Sequence, residues 1–382
     1  MFIPFILIIA ILLTLFYVWL ILLYRRWFVR LKPFVDAIET QPAVSFSIII
    51  PARNEAANIG ACLKSITAQN YPSHLIEIIV IDDYSTDNTA AIVQQWQQQY
   101  TNIQLIDLSK ESRDATTNSY KKWAIERAIH YARSEWIVTT DADCVAGKNW
   151  ISSFAKCIEK EQPILIAAPV RFIYYPTLLG AFQYLDFLSL QGITAASVSA
   201  GWHSMCNGAN LAYQKAAFFS VNGFTGINHI ASGDDMLLMN KIKQQYPGKT
   251  TYLFHPNAIV LTQPVFSWYE LLHQRIRWAS KADKYEDKSI FGVLLFVYLY
   301  NLVLFIMPFL AFFDWRILIY WMLLLLIKTL TELRFMKPVS RFFGENHLHW
   351  FPFLQPIHIA YTVIVGWLGK FGHYQWKGRR VV

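Results

Sequence analysis

The sequence predicts an α/β domain with a mostly parallel sheet, carried between membrane-spanning helices. Three observations point to it. Residues 1–24 and 290–313 contain no Asp, Glu, Lys or Arg. Between them lie about 250 residues of ordinary soluble composition. Within that stretch, short continuous apolar runs alternate with amphipathic helical ones, as in a sheet covered on both faces.

The chain has 382 residues, 54% of them hydrophobic. Each charge-free run is long enough to cross a hydrocarbon core about 30 Å thick at roughly 1.5 Å per helical residue. Residues 316–333 read as the second arm of a hairpin with 290–313, and 347–369 as a further apolar segment. The N-terminal run is not a cleavable signal, because its basic residues follow it, at Arg25, Arg26, Arg30 and Lys32. Basic flanks favour the cytoplasm, so Met1 faces outward and the central region is cytosolic. Arg334, Lys337 and Arg341 agree with that orientation. A full crossing by 347–369 would put Lys377, Arg379 and Arg380 outside, and Pro352 and Pro356 suit a bent or partial insertion instead. The expected organisation is an N-terminal transmembrane helix and basic flank (1–30), a cytosolic α/β domain (31–262), an amphipathic interfacial segment (263–286) and a C-terminal membrane region of two to three spans (287–382). This describes an integral membrane protein, of the inner or plasma membrane if the chain is bacterial.

The net charge of +8 belongs largely to residues flanking the spans, where anionic headgroups are the natural partner. No nucleic-acid motif is present, so nucleic acid is not an expected partner. Cys62, Cys144, Cys157 and Cys206 form no CxxC pair, which indicates neither a zinc site nor a disulfide framework.

In the central region, Ser45–Pro51, Ile76–Ile81 and Trp136–Thr140 read as buried strands. Ala56–Gln69, Ser85–Tyr100 and Tyr120–Arg133 read as helices between and after them, the first with Ile59, Leu63 and Ile66 on one stripe. Ligands of such sheets bind beyond the carboxyl ends of the strands, at a switch in strand order. The unusual residues lie there: Pro51 to Glu55, Asp82 to Asp87, and Thr140 to Asp143.

Asp141 and Asp143 flank one small residue, and positions i and i+2 at a strand end can point the same way. Two carboxylates there suit a hard divalent cation that also binds phosphate oxygens; a pair of solvated loop acids is the plainer account. Asp82 and Asp83 can accept from a base imide or a ribose hydroxyl, or cap the next helix. Asp234 and Asp235 precede a helical run, Met236–Gln245, and suit either a helix N-terminus or a general base. Gln274, Arg277 and Trp278 fall in an amphipathic segment, Phe266–Lys281, just before a span. They read as an interfacial anchor or as a wall for an acceptor.

Taken together, these motifs resemble glycosyltransferase family 2, the inverting enzymes of the GT-A fold, with a Rossmann-like, mostly parallel sheet. The match runs from about residue 45 to 280. Ser47 to Glu55 is similar to that family's opening strand, Val80 to Asp87 to its nucleoside turn, and Thr140 to Asp143 to its DxD metal motif. Gly233-Asp234-Asp235 resembles its (E/G)DD motif, and Gln274 to Trp278 its QxxRW motif. The resemblance implies that Pro51, Ala52, Glu55 and Asp83 contact the base and ribose. Lys121, in a segment similar to KxxAL, would lie near the donor, and Asp234 beside the substrate. Asp141 and Asp143 would hold Mg²⁺ or Mn²⁺ and bracket the diphosphate, Asp235 would be the catalytic base, and Gln274, Arg277 and Trp278 would bind the acceptor end and the donor diphosphate. Tyr84 stands where the family usually has Gly, and Glu126 where it often has Asn. The implied activity is transfer of a sugar from a nucleotide sugar, UDP-linked first among the candidates. A lipid or lipid-linked acceptor at the cytoplasmic face comes first, with processive synthesis of a poly-N-acetylglucosamine-like glycan as the alternative.

Overall fold

A computed structural model describes residues 2–33, 43–111, 119–230, 233–281, 287–344, 347–372, 374–376 and 379–381. Lys377 lies outside the described residues. The chain divides into two compact units. One comprises Lys32–Ile173 and Gly201–Gln263, the other Met1–Leu31, Tyr174–Ala200 and Pro264–Val382. Elements are numbered along the chain, α1 (Phe2–Arg30) being the first.

The α/β unit begins with β1 (Phe46–Ala52), α2 (Ile59–Thr67), β2 (Ile76–Asp82), α3 (Thr89–Gln99), β3 (Ile103–Asp107), α4 (Tyr120–Tyr131) and β4 (Trp136–Thr139). Ile48, Ile49 and Ile50 are fully buried, so both faces of β1 are covered. β1 lies between β2 and β4, parallel to both, with Ile49 opposite Ile79 and Thr139. The unit continues through β5 (Val145–Ala146), α5 (Trp150–Glu161), β6 (Leu165–Ala167) and β7 (Val170–Phe172). After α6 (Leu178–Ser199), which belongs to the other unit, come β8 (Leu211–Gln214), α7 (Lys215–Ser220), α8 (Met236–Gln245), β9 (Thr250–Tyr252) and β10 (Val260–Thr262).

The main sheet has seven strands in the order β3-β2-β1-β4-β8-β6-β9. It is parallel except at β8, which pairs antiparallel with β4 and with β6. A smaller sheet has the order β5-β10-β7. The expected mostly parallel α/β sheet is therefore present. α2 and α3 start a few residues later than the sequence suggests, because residues 54–56 and 85–89 bond across to one another instead of entering helices.

The helical unit contains α1, α6, α9 (Trp268–Ala279), α10 (Lys288–Leu310), α11 (Arg316–Phe343) and α12 (Phe351–Phe371), then β11 (Tyr374–Trp376) paired antiparallel with β12 (Arg379–Val381). Among the described residues, Ile6–Arg30, Lys288–Leu310 and Leu348–Phe371 are long and apolar enough to cross a membrane. α11, the hairpin arm of the sequence reading, is not among them; it carries Lys328 and Glu332. α12 runs unbroken through Pro356. The unit boundaries fall beside residues 31, 173, 200 and 263, so α6 groups with the helices although it lies inside the 31–262 stretch.

Two glycines let these helices meet. A Cβ at Gly192 of α6 would lie 2.6 Å from Val339 of α11, and one at Gly369 of α12 would lie 2.6 Å from Cβ of Ala279 in α9. Small residues at crossings are how apolar helices approach closely.

Candidate active site

The loops after β1 and β2 are buttoned together. Arg53 Nη1 donates to the carbonyl of Asp83 (2.7 Å) and to that of Tyr84 (3.2 Å). Asn54 donates its N–H to Ser85 Oγ (2.9 Å), and its side-chain oxygen accepts from the Thr86 N–H (2.8 Å). The Glu55 N–H donates to Thr89 Oγ1, and the Ala56 N–H to Asp87. Asn54 and Tyr84 both adopt left-handed backbone, at φ 51° and 55°. Tyr84 thus takes up the backbone that explains a glycine there. The interlock brings Pro51, Ala52, Glu55 and Asp83 together at the ends of β1 and β2. Ala52 accepts from the Asp83 N–H at 2.8 Å, and Asn58 holds the Glu55 carboxylate at 2.9 Å.

Asp82 and Asp83 are both buried. Burial pushes the Asp82 carboxyl above its usual range, and Asp107 and Asp83 add to that. One of its oxygens accepts from the Ser85 N–H; the other is buried with no hydrogen-bond partner among the described residues.

The second group of acids converges on Lys121, near the start of α4. Its ammonium lies 2.8 Å from Asp141 Oδ1 and 3.5 Å from Asp234 Oδ2. Burial works against the charge, but Asp141 and Asp234, with Asp235 behind them, hold it well above the ordinary lysine range. Asp141 keeps 36% of its side chain open to solvent against 13% for Asp234, so Lys121 ties an accessible acid to a recessed one. Lys122, the next residue on α4, points elsewhere. It is buried and donates to the carbonyls of Ile227 (3.0 Å) and Ile230, pinning the loop that leads to Asp234. Lys241 holds the same loop at Gly223 and Thr225. Glu126 packs against the Gly223 turn and its carboxyl is pushed up by burial.

Asp235 is the N-cap of α8. Its two oxygens accept from the N–H groups of Met236 (2.7 Å) and Gly208 (3.1 Å). The plainer account, a helix-capping acid, is thus a fact of the geometry, and each oxygen keeps a second lone pair for a ligand. Asp143 accepts from Thr262 Oγ1 on β10 at 3.3 Å. Behind Asp141 and Asp143 lie the buried thiols of Cys62 and Cys144. Burial pushes both up, and the two aspartates push them further. Among the described residues no group of three or more His, Cys, Asp or Glu encloses a metal position, so a cation here would take two protein carboxylates.

Gln274, Arg277 and Trp278 lie on α9, in the helical unit. Gln274 Oε1 is buried without a hydrogen-bond partner among the described residues. The residue missed by the sequence reading is Arg275, which is buried. Its guanidinium lies 2.9 Å from Asp186 of α6 and 4.2 Å from the ring centroid of Trp278. Only its i, i+3 spacing from Trp278 on α9 hinted at this stack.

A protein-family model, Glycosyl transferase family 2, matches residues 47–219. Glycosyltransferase AglE of Haloferax volcanii is 28% identical over 190 residues, covering 50% of this chain and 58% of that protein. Poly-beta-1,6-N-acetyl-D-glucosamine synthase of Staphylococcus epidermidis is 25% identical over 268 residues, 68% of this chain and 61% of that one. The chain thus spans about 60% of the length of these curated relatives. The solved mannosyltransferase PcManGT of Pyrobaculum calidifontis, in complex with GDP-Man and Mn²⁺, superposes with a TM-score of 0.57 at 18% identity, over 95% of this chain and 99% of that one. At that identity the likeness speaks for the fold. Over residues 47–219 the chain is thus similar to glycosyl transferase family 2, and its fold is the GT-A fold.

Proposed function

We propose that the chain is a membrane-bound inverting glycosyltransferase that moves a sugar from a nucleotide sugar, UDP-linked first among the candidates, to a lipid or lipid-linked acceptor at the cytoplasmic face. The observation that carries this reading is the meeting of Asp141 and Asp234 on Lys121, which joins the two acidic motifs from distant parts of the chain.

The residues fit a hard divalent cation, Mg²⁺ or Mn²⁺. Asp141 and Asp143 supply carboxylate oxygen donors, the kind of ligand such an ion takes alongside substrate phosphates. When bound, such an ion would neutralise charge on the departing nucleoside diphosphate. Pro51, Ala52, Glu55 and Asp83 would hold the base and ribose along the interlocked loops. Asp235, oriented by its two backbone bonds, would take the proton of the acceptor hydroxyl as that oxygen attacks the anomeric carbon. The carbon–oxygen bond to the diphosphate breaks in the same displacement, so configuration inverts. Gln274, Arg277 and Trp278 would bind the acceptor end and the donor diphosphate, the role that the family resemblance implies for them.

Three candidate spans support membrane embedding. Arg25 Nε donates to the carbonyl of Arg334 at 3.2 Å, which puts the basic end of α1 beside the basic stretch of α11. Both then favour the same, cytoplasmic, side. The second reading, glycan polymerisation, draws on the match to the Staphylococcus epidermidis synthase. Incubation of the detergent-solubilised chain with radiolabelled donor and membrane lipids separates the two. Label extracted into organic solvent is expected. Label held in a high-mass aqueous product would transfer the assignment to the polymer.

A further inference from the structure

We infer that Lys121 competes with the cation for Asp141, so that metal and nucleotide bind together and not metal first. The inference rests on reading Asp141 and Asp143 as the metal carboxylates. The ammonium donates to Asp141 Oδ1 at 2.8 Å, on one of the two carboxylates read as metal ligands. It is anchored from the other side by Asp234 at 3.5 Å, with Asp235 adding to the attraction. A divalent ion arriving alone must displace this contact and meet a fixed positive charge a few ångströms away.

A nucleoside diphosphate changes that balance. Its oxygens offer Lys121 a partner of higher charge than Asp141, and release Asp141 to the metal. Lys121 is therefore a positioning residue that couples the two ligands, with no change in protein fold required. Linkage demands that the coupling run both ways: nucleotide tightens metal, and metal tightens nucleotide by the same factor.

The test measures Mn²⁺ binding to the full-length chain in detergent, from the free-ion paramagnetic resonance signal, with and without UDP or GDP. Lys121→Met keeps the length of the side chain and removes its charge. Without nucleotide it should bind Mn²⁺ at least about tenfold tighter than the native chain, the scale of one unit charge a few ångströms from a dication even at the dielectric constant of water. The further gain from nucleotide should shrink in the variant. Lys121→Arg, which keeps the charge, should behave like the native chain, and Lys121→Gln serves as a second neutral variant if the methionine form does not fold. Mn²⁺ binding that is equal or weaker in the neutral variants would overturn the inference while leaving the metal reading in place. Absence of Mn²⁺ binding in every form, with either nucleotide, would overturn the metal reading and the inference with it.

Discussion

Tyr84 sits in a left-handed backbone at φ 55°, between the buried Asp83 and Ser85. A residue with a Cβ costs roughly 1–2 kcal/mol there, offset in part by the ~0.5–1 kcal/mol of chain entropy that glycine would lose on folding. Arg53, bonded to the carbonyls of Asp83 and Tyr84 on either side of the Tyr84 Cα, holds the turn in that shape. Tyr84→Gly should leave the thermal midpoint unchanged or raise it by up to a few degrees; a clear fall would mean that the ring itself packs usefully. At this scale the places of Asp82, Asp83 and Asp141 at or just after strand ends were legible, from the apolar runs that precede them. The roles of neighbouring lysines were not. Lys121 and Lys122 look alike in the sequence, yet about 100° of helical turn between consecutive residues sends one to Asp141 and the other to the loop carbonyls of Ile227 and Ile230. Arg275 was passed over for the same reason: which arginine of a helix is buried depends on what α6 brings against it.

The strands β1, β2 and β4 could be read from their unbroken apolar runs. The short strands β5 to β10 could not, since two to four residues carry no periodicity. Nor could the antiparallel insertion of β8, or the membership of α6, whose buried residues surround its whole circumference. Two contacts between elements make predictions. Glu77 on β2 accepts from Ser47 Oγ of β1 (2.6 Å) and from the N–H and Nε of Arg133 after α4. Burial opposes its charge, yet these donors hold its carboxyl below the usual range. The stabilisation it gives is therefore complete above the ordinary carboxylate range and fades as pH falls through the depressed folded value. The native chain should exceed Glu77→Gln in thermal midpoint at neutral pH, with the gap closing in acid. A gap independent of pH would rule out this role. In the helical unit, Lys328 of α11 donates to Glu332 Oε1 and to Gln355 Oε1 of α12 (both 2.7 Å), and Gln355 and Tyr17 of α1 donate to Glu332. Removing one ion from a buried pair costs about 3–5 kcal/mol, whereas replacing both with apolar residues is often neutral. Lys328→Met should lower the midpoint in detergent strongly, and Lys328→Met with Glu332→Leu should recover most of it. A double variant as unstable as the single one would show that the network does more than satisfy its own charges.

For the whole molecule, the sequence marked apolar helical stretches before and after an α/β stretch of the chain. Charge-free length alone fixes such helices, and buried isoleucine runs fix such a sheet. The chain's passage from the α/β unit into the helices and back, through α6, has no comparable mark, because its boundaries at residues 173 and 200 lie in ordinary composition. The central claim is sugar transfer with Asp235 as base. The measurement that addresses it most directly is nucleoside-diphosphate release from a panel of UDP- and GDP-sugars, with total membrane lipids, in Mn²⁺ or EDTA, comparing the native chain with Asp235→Asn. The account predicts release from one donor that is abolished by EDTA and reduced about 10²–10⁴-fold in the variant. Release by Asp235→Asn at the native rate would contradict Asp235 as the base, and no release from any donor would contradict the claim itself.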